Sequence, residues 1–273
     1  MPQTKAKQEP TVDTIAPADL WEEIADGVNT IGHDEGVFEF GPDGFRVVVK
    51  DAANVALIKQ EVDAADFESY DVDDYFAIGA NTQRFEDVLG KVDDVPVRLA
   101  YDWDTYNFDI QADDVNYHMA GIDADSVNGS PADIPPVKDA DDLPGTKSYC
   151  VDVTLPVDKL DRASGLVDMV TSIAHFNMGG DDGVFVIEGP GDTDSVTVDV
   201  HESDAFEWRE DPPESVELCK QSNDYLQDVV GLIDEDTVRL VTGPGLPYHL
   251  WTKRADGRID TKVMQAPRVD NSK

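Results

Sequence analysis

The residues that could perform catalysis or bind a metal do not form a recognisable motif in this sequence. The five histidines are His33, His118, His175, His201 and His249. No two of them have the HExxH spacing that places two imidazoles on one helix face to bind zinc. The nucleophile elbow GxSxG, the phosphate loop GxxxxGK[ST] and the dinucleotide fingerprint GxGxxG are also missing from the sequence. The sequence therefore predicts a protein without catalytic residues, a metal site or a cofactor.

Two acidic, glycine-rich segments resemble calcium loops only superficially. These are GGDDG at 179–183 and GPGDTD at 189–194. Neither has the DxDxDG spacing with a closing glutamate that surrounds a calcium ion with oxygen ligands. Glycine, proline and aspartate in such short runs are typical of tight turns, so we predict hairpin turns at both places. Because the chain carries 58 acidic residues, neighbouring carboxylates are expected by chance.

The two cysteines, Cys150 and Cys219, do not form a CxxC pair, which argues against a zinc site or a disulfide framework. The local pattern predicts a strand around Cys150 and a helix around Cys219. Free and largely buried thiols are typical of a reducing cytosol.

The charge of the chain is strongly unbalanced. The sequence has 58 acidic and 21 basic residues in 273, which gives a net charge of −37 and a pI of about 4.1. The acids are spread along the whole chain, so an acidic tail does not explain them. With an ordinary hydrophobic share of 40%, this pattern indicates a protein that works in molar salt. The alternative is a mesophilic protein that repels polyanions.

The first residues, MPQTKAKQEP, have no apolar core of the kind found in signal peptides. No apolar run approaches the roughly 20 residues that a membrane span requires. We therefore expect a cytoplasmic protein that does not bind membranes.

A repeated phrase shows how the chain is organised. FEDVLGKVDDVPVRL at 85–99 recurs as LQDVVGLIDEDTVRL at 226–240, with every residue 141 positions after its counterpart. This period is too long for a solenoid, whose units have about 20 to 50 residues, and it indicates a duplicated domain. We predict domains at 10–122 and 147–269, joined by a proline-rich connector at 123–146, with a disordered lead-in at 1–9 and a tail at 270–273.

Hydrophobic periodicity and capping residues predict the same order of elements in each half, namely helix, strands, helix and strands. In the first half, we predict two helices, one at 17–31 and one from Asn81 or Thr82 to about 90. We predict strands at 37–40, 45–49, 55–62 and about 75–78, followed by three more strands up to about 122. In the second half, we predict helices from 156 to about 172 and from about 215 to 232, hairpin strands at 184–188 and 195–200, and closing strands near the end.

Four segments in this order resemble a known family. They are DAANVALIKQEVDAADFESYDV at 51–72, NTQRFEDVLG at 81–90, SNDYLQDV at 222–229 and MQAPRV at 264–269. The chain resembles a sliding clamp of the proliferating-cell nuclear antigen (PCNA) type, close to the versions in halophilic archaea. This resemblance implies an α+β fold of two clamp domains, each with two helices packed on antiparallel sheets. It also implies a ring-shaped homotrimer of pseudo-sixfold symmetry, with the helices lining the hole.

The resemblance also implies which residues face the enclosed DNA. In the family, basic residues of the inner helices approach the phosphates, and the matching candidates here are Arg84, Lys91, Lys159, Arg162 and Lys220. The same predicted helices carry many more acids than bases. Several positions where relatives have a base read Asp87, Gly90, Gly165 and Gly231 here. Each candidate base therefore has a second interpretation, as a solvated surface charge.

Two further surfaces follow from the same resemblance. Family clamps bind a short partner peptide between the connector and the C-terminal strand. The matching positions are Asn54, Val55, Ile134, Val137, Leu143, Pro247, Ala266 and Pro267; alternatively, the apolar ones hold the connector on the sheet. The subunits are expected to join by strand addition between DVNYHMA (114–120) and SVTVDV (195–200), through Val115, Tyr117, Val196 and Val198.

The implied function is that of a DNA sliding clamp, a non-enzymatic processivity factor that encircles double-stranded DNA. Its partners would be a clamp loader and a DNA polymerase, flap endonuclease, ligase or other protein with a PCNA-interacting peptide. A diverged clamp that binds proteins without encircling DNA is the alternative on the same fold. An acid-based hydrolase on an unrelated fold would require the internal repeat to be accidental. The sequence leaves open whether the owner is a cell or a virus, and whether the ring is homomeric.

Overall fold

The computed structural model describes residues 11–32, 34–127, 151–179, 184–201, 207–208 and 216–268. The chain divides into two compact units. Unit 1 contains residues 1–29, 33–49 and 60–131, and unit 2 contains residues 30–32, 50–59 and 132–273. The short segment 50–59 therefore belongs to unit 2, although it lies in the first half of the sequence.

The first half has nine strands and two α-helices among its described residues. They are β1 (Val12–Pro17), α1 (Ala18–Asn29), β2 (Glu35–Gly41), β3 (Gly44–Lys50), β4 (Ala56–Asp63), β5 (Ser69–Val72), β6 (Phe76–Asn81), α2 (Thr82–Leu89), β7 (Pro96–Asp102), β8 (Asn107–Ala112) and β9 (Val115–Ala120). Short 3-10 turns lie at Ala64–Asp66 and Ala124–Ser126.

The second half repeats this order. Its described elements are β10 (Val151–Pro156), α3 (Val157–Asp168), β11 (Ile173–Gly179), β12 (Val184–Pro190), β13 (Ser195–Val200), β14 (Glu207–Trp208), β15 (Val216–Ser222), α4 (Asn223–Val230), β16 (Thr237–Thr242), β17 (Tyr248–Arg254) and β18 (Ile259–Gln265).

The strands of each unit pair antiparallel. In unit 1 one sheet has the order β5-β1-β7-β8-β9, and β2 pairs with both β3 and β6. In unit 2 one sheet has the order β13-β12-β11-β15, and β14, β10, β16, β17 and β18 follow one another in the other. Consequently β9 and β13 are the end strands of their sheets among the described residues.

The helices of each unit pack against each other and bury one face. In unit 1, α1 contacts α2 and buries Leu20, Trp21 and Ile24. The indole of Trp21 meets the rings of Phe45 and Phe85 edge-on, at centroid distances of 5.3 and 5.7 Å. In unit 2, α3 contacts α4 in the same way. These apolar faces hold the helices on the sheets because burying each large side chain contributes roughly 1.5–3 kcal/mol.

The structure explains why one phrase occurs twice. Arg98 of β7 donates two hydrogen bonds to the carboxylate of Asp13 on β1, from Nε and Nη2, both at 2.7 Å. Arg239 of β16 binds Asp152 of β10 in the same way, at 2.8 and 2.6 Å. Such a bidentate contact pairs the opposite charges of the arginine and the carboxylate, and it also fixes the register of the two neighbouring strands. The repeated arginine therefore joins the same two strands in each half.

Most predicted elements are confirmed, including the helix whose cap was predicted at Asn81 or Thr82, which is α2 (Thr82–Leu89). The Asn81 side chain accepts a hydrogen bond from the Arg84 amide at 2.7 Å and so caps α2. The three strands up to about residue 122 and the hairpin at 184–200 are also confirmed. The turn within GPGDTD is closed by a hydrogen bond from the Gly191 amide to the Asp194 carbonyl at 2.9 Å. The turn predicted at GGDDG lies mostly outside the described residues, as do Cys150 and His33.

The prediction of a helix from about 215 to 232 was wrong. Residues 216–222 form β15, and only Asn223–Val230 form α4. Cys219 and Lys220 therefore lie on a strand rather than on a helix. The polar residue Gln221 of β15 is fully buried. It takes a buried position where an apolar residue is expected, so it obscures the period-2 hydrophobic alternation by which a half-buried strand is recognised.

Candidate functional site

The loop between β3 and β4 is organised around one buried carboxylate. Asp51 is 2% exposed. Its carboxylate accepts hydrogen bonds from the amides of Ala53, Val55 and Ala56, at 3.1, 2.6 and 2.7 Å. Asn54 has a positive φ of 58°, a conformation that asparagine tolerates better than most residues. The loop thus presents the exposed Asn54 and the half-buried Val55 in a fixed conformation.

A helix of the second half supplies the fourth donor to this carboxylate. The hydroxyl of Tyr225, on α4, donates to Asp51 at 2.8 Å across 174 residues of sequence. Burial raises the pKa of Asp51, but the hydrogen bonds from Ala56, Tyr225, Val55 and Ala53 outweigh it, so the net pKa lies below the ordinary value. Burial and the hydrogen bond to Asp51 raise the pKa of Tyr225 to about 12. The loop is therefore held by a charge-assisted contact from within the same unit.

The C-terminal segment lies beside this loop. The Ala266 amide donates to the Val55 carbonyl at 2.7 Å, and the Arg268 amide donates to the Lys220 carbonyl at 2.8 Å. Ala266 and Pro267 are half-buried, as is Pro247. Gln265 points inward, where its amide contacts the Tyr248 hydroxyl at 2.6 Å and the Ser222 carbonyl at 3.1 Å.

Five of the eight residues predicted for the partner groove are thus described, and the structure brings four of them together. Val55 is hydrogen-bonded to Ala266, and Asn54 and Pro267 are the chain neighbours of these two residues. Pro247 precedes Tyr248, which pairs with Gln265 in the β17–β18 ladder. The connector residues Ile134, Val137 and Leu143 lie outside the described residues. Sequence reasoning did not single out Asp51 and Tyr225, although both lie in segments that carry the resemblance, at 51–72 and 222–229.

The candidate DNA-facing bases lie in strongly acidic surroundings. Arg84 lies on α2 and is exposed, and Lys91 follows that helix. Lys91 lines a cavity of about 690 Å³ beside α1 and α2, together with Gly90 and four carboxylates. These carboxylates belong to Glu22, Asp26, Glu86 and Asp87.

The second half repeats this acidic character. Lys159 and Arg162 lie on α3, whereas Lys220 lies on β15. Burial and the neighbouring charge of Asp224 raise the pKa of Asp228, the counterpart of Asp87 in the repeated phrase. The helices therefore present more negative than positive charge.

The predicted subunit edges occupy the ends of their sheets. Val115 and Tyr117 lie on β9, and Val196 and Val198 lie on β13; all four side chains are half-buried and alternate with exposed residues. An apolar face of this kind on an unpaired edge is the feature that a second strand can cover.

The described residues contain neither a candidate membrane-spanning helix nor a candidate metal-binding cluster. None of the described helices has the length and apolar character needed to cross a bilayer. The described histidine, cysteine, aspartate and glutamate side chains form no group of three that could hold a metal ion.

Comparison with characterised proteins gives consistent matches over most of the chain, although no family model matches it. The DNA polymerase sliding clamp of Halobacterium salinarum is 31% identical, over 94% of this chain and 98% of the relative. The corresponding clamp of Natronomonas pharaonis is 30% identical over the same shares, and that of Haloarcula marismortui is 29% identical over 95% and 99%.

Solved structures show the same fold. The chain matches A. fulgidus PCNA, solved with the C-terminal region of FEN-1 bound, with a TM-score of 0.76 and 21% identity, over 96% of this chain and all of that one. It matches PCNA from Thermococcus kodakaraensis with a TM-score of 0.72 and 19% identity, over 94% of this chain and all of that one.

Proposed function

The chain belongs to the family of DNA polymerase sliding clamps, and from this premise we propose that it encircles duplex DNA as a ring of three identical subunits. Clamps of this family are non-enzymatic processivity factors. The ring would be loaded by a clamp loader and would tether a polymerase and other replication or repair enzymes to DNA. The fold repeats its helix pair and its edge strand, as a ring with a repeated inner surface requires.

The end strands β9 and β13 are the observation that carries the ring proposal. We propose that β9 of one subunit adds antiparallel to β13 of the next, with Val115 and Tyr117 covering Val196 and Val198. Both strands have the alternation of half-buried and exposed residues that such pairing needs. Because the contact is formed by backbone hydrogen bonds and apolar side chains, molar salt does not weaken it as it weakens an ion pair.

Light scattering coupled to size exclusion in multimolar potassium chloride tests this proposal. We expect a mass three times the 29.9 kDa of one chain. A monomer of normal fold at high salt and at micromolar concentration would contradict the ring.

For the groove, we propose that the loop around Val55 and the segment Ala266–Pro267 bind a short apolar peptide from partner enzymes, together with Ile134, Val137 and Leu143 of the connector. The neighbouring half-buried positions in the described part of this surface support the proposal, as does the fold shared with a PCNA solved with the C-terminal region of FEN-1. A peptide with a glutamine, an aliphatic anchor and two aromatic residues is the suitable probe.

Calorimetry in concentrated salt tests the groove with two variants. Leu143→Asp and Val55→Asp should each reduce peptide affinity at least tenfold, because each places a charge where an apolar anchor must be desolvated. Both should keep the mass of the parent ring. Unchanged affinity in both variants would place the docking site elsewhere.

The DNA contacts of this clamp are proposed to be weak. Arg84, Lys91, Lys159, Arg162 and Lys220 supply the positive charge, but four carboxylates line the cavity around Lys91, and the helices carry more acids than bases. Phosphate contacts gain most of their free energy from counterion release, which collapses as salt rises. Enclosure depends on the closed ring and not on this free energy, so a ring with little affinity for DNA still remains on it.

A second candidate function rests on the same acidic surroundings. The four carboxylates around Lys91 suit a diverged clamp that binds partner proteins but does not encircle DNA. Circular DNA separates the two candidates. A loaded ring should stay on a nicked circle and slide off once the circle is cut open. Equal retention on circular and linear DNA would favour the second candidate.

A further inference from the structure

Unit 1 contains an aromatic cavity that belongs neither to the proposed partner groove nor to the subunit edges. It has a volume of about 650 Å³. Its walls include four aromatic side chains and two carboxylates, from Phe76, Tyr101, Trp103, Tyr106, Asp123 and Asp125. We call it the aromatic cavity.

Three of its rings pack as one group that the core holds from behind. The ring centroids of Phe76, Tyr101 and Trp103 lie 4.6 to 5.0 Å from one another. Tyr101 also meets the buried ring of Phe108 at 5.2 Å. Phe76 and Trp103 are only half-buried. The group is therefore a fixed aromatic wall that still faces solvent.

The fourth ring lies at a position where its backbone is strained. Tyr106 has a φ of 58° in the turn between β7 and β8. Glycine or asparagine adopts this left-handed conformation at lower cost than a bulky residue does. The side chain of Tyr106 is 65% exposed, so it contributes little burial to the fold in return. A strained position that keeps an exposed aromatic residue points to a role for the ring itself.

Backbone hydrogen bonds keep the cavity in shape. The Gly121 amide donates to the Tyr106 carbonyl at 2.9 Å, which ties the strained turn to the segment after β9. Gly79 and Ile122 exchange two hydrogen bonds at 2.7 and 2.8 Å. The Asp123 side chain accepts from the Asp125 amide at 3.1 Å and caps the turn at Ala124–Ser126. A cavity held in this way is preformed for a ligand.

The charge at the cavity has one sign. Asp123 and Asp125 are exposed at its rim, and none of the described residues that line it is basic. An aromatic face attracts a cation through its quadrupole, and a carboxylate nearby adds to this attraction. Among protein cations, the guanidinium of arginine is the most weakly hydrated and stacks on aromatic faces. Its contact with a ring acts at short range, so it persists in salt that screens exposed ion pairs.

We propose that the aromatic cavity binds an arginine side chain from a basic peptide segment of a partner protein. The aromatic wall and Tyr106 contact the guanidinium, and the carboxylates of Asp123 and Asp125 balance its charge. The proposal is independent of the clamp function, because all of these residues lie within unit 1 and none belongs to the proposed groove or edges. It gives the chain a second docking point, selective for positive charge rather than for apolar anchors.

The test uses two tripeptides that differ only in charge, blocked Gly-Arg-Gly and blocked Gly-citrulline-Gly. The full chain is labelled with 5-fluorotryptophan, which gives fluorine signals for its four tryptophans, and Trp103→Phe identifies the Trp103 signal. We expect the arginine peptide to shift this signal saturably in concentrated potassium chloride. The citrulline peptide should bind roughly three- to thirty-fold more weakly, the range that a cation–ring contact supplies. Equal binding of both peptides, or no shift at millimolar arginine peptide, would overturn the proposal.

Two variants separate a binding role from a structural one. Tyr106→Gly removes the ring and relieves the left-handed strain, so it should keep or raise the melting temperature while weakening the arginine peptide at least threefold. Tyr75→Ala is the matched control, because Tyr75 is 69% exposed and does not line the cavity. It should leave peptide binding unchanged. If Tyr106→Gly binds the arginine peptide as the parent does, the cavity is not the binding site.

Discussion

At the scale of single residues, Asp51 is the group on which the proposed partner groove depends most directly. Three backbone amides and the Tyr225 hydroxyl donate to its carboxylate. A carboxylate that is 2% exposed is costly to bury unless it is fully hydrogen-bonded. Its hydrogen bonds therefore both stabilise unit 2 and fix the conformation of Asn54 and Val55.

We expect Asp51→Asn to lower the free energy of unfolding by about 1.5–3 kcal/mol, because an amide supplies one acceptor oxygen and turns its NH2 toward other donors. Tyr225→Phe is the matched control and removes one donor only, so its effect should be smaller, about 1 kcal/mol. Denaturant titration in concentrated salt measures both. If Asp51→Asn were no worse than Tyr225→Phe, the carboxylate would not be organising the loop.

The same group predicts an acid dependence. The folded-state pKa of Asp51 is lower than its ordinary value. The stability that the ionised carboxylate contributes is therefore complete above the ordinary pKa, and it is lost as pH falls through the folded-state pKa. The stability difference between the parent and Asp51→Asn should be constant above about pH 5 and should shrink below about pH 4. Unfolding measured at several pH values tests this. A difference that grows on acidification would have the wrong sign.

At the scale of elements, α2 and α4 are counterparts whose first turns are held differently. The Asn81 side chain caps α2, whereas Ser222, at the corresponding position 141 residues later, makes no side-chain cap bond to α4. Asn81→Ala should therefore destabilise the protein by about 1 kcal/mol, and Ser222→Ala should change stability by less than about 0.5 kcal/mol. Paired denaturation curves decide this. Equal effects would show that the cap contributes nothing in this fold.

The end strand β13 allows a matched test of subunit pairing. Along such a strand, successive amides point alternately toward β12 and away from it. Proline at two neighbouring positions, Thr197→Pro and Val198→Pro, therefore removes one inward and one outward donor. We expect the variant that loses its inward donor, toward β12, to be less stable as a monomer. The variant that loses its outward donor should remain folded but fail to assemble.

Light scattering and circular dichroism in concentrated salt identify which variant is which. The folded, unassembled variant is the informative one. Trimers that persist in both variants would exclude β13 as the subunit edge.

At the scale of the whole molecule, a net charge of −37 sets the conditions under which the fold is stable. In ~1 M salt the screening length is about 3 Å, and it grows to about 10 Å at ~0.1 M, so neighbouring carboxylates repel each other only after dilution. The melting temperature should rise steadily with potassium chloride. The three relatives named above come from halophilic archaea, which agrees with this expectation. A melting temperature independent of salt would contradict it.

The sequence by itself determined the features that depend on local order. The repeated phrase predicted a duplicated chain. Local patterns, such as the strand alternation at 184–200 and the amphipathic helix at 17–31, predicted helices and strands in each half, because hydrophobic periodicity and capping act between near neighbours in sequence. The same reasoning placed a helix cap at Asn81 or Thr82.

Only the tertiary structure decided which distant groups meet. Tyr225 reaches Asp51 across 174 residues, and Arg98 reaches Asp13 across 85. Residues 216–222, which were predicted as part of a helix, form β15 and bury Gln221 completely. Polar side chains are buried only where a specific partner or packing arrangement compensates for lost water. Neither of these is present in the local pattern, so the contacts that fix the loop, the strand registers and the aromatic cavity follow from the fold alone.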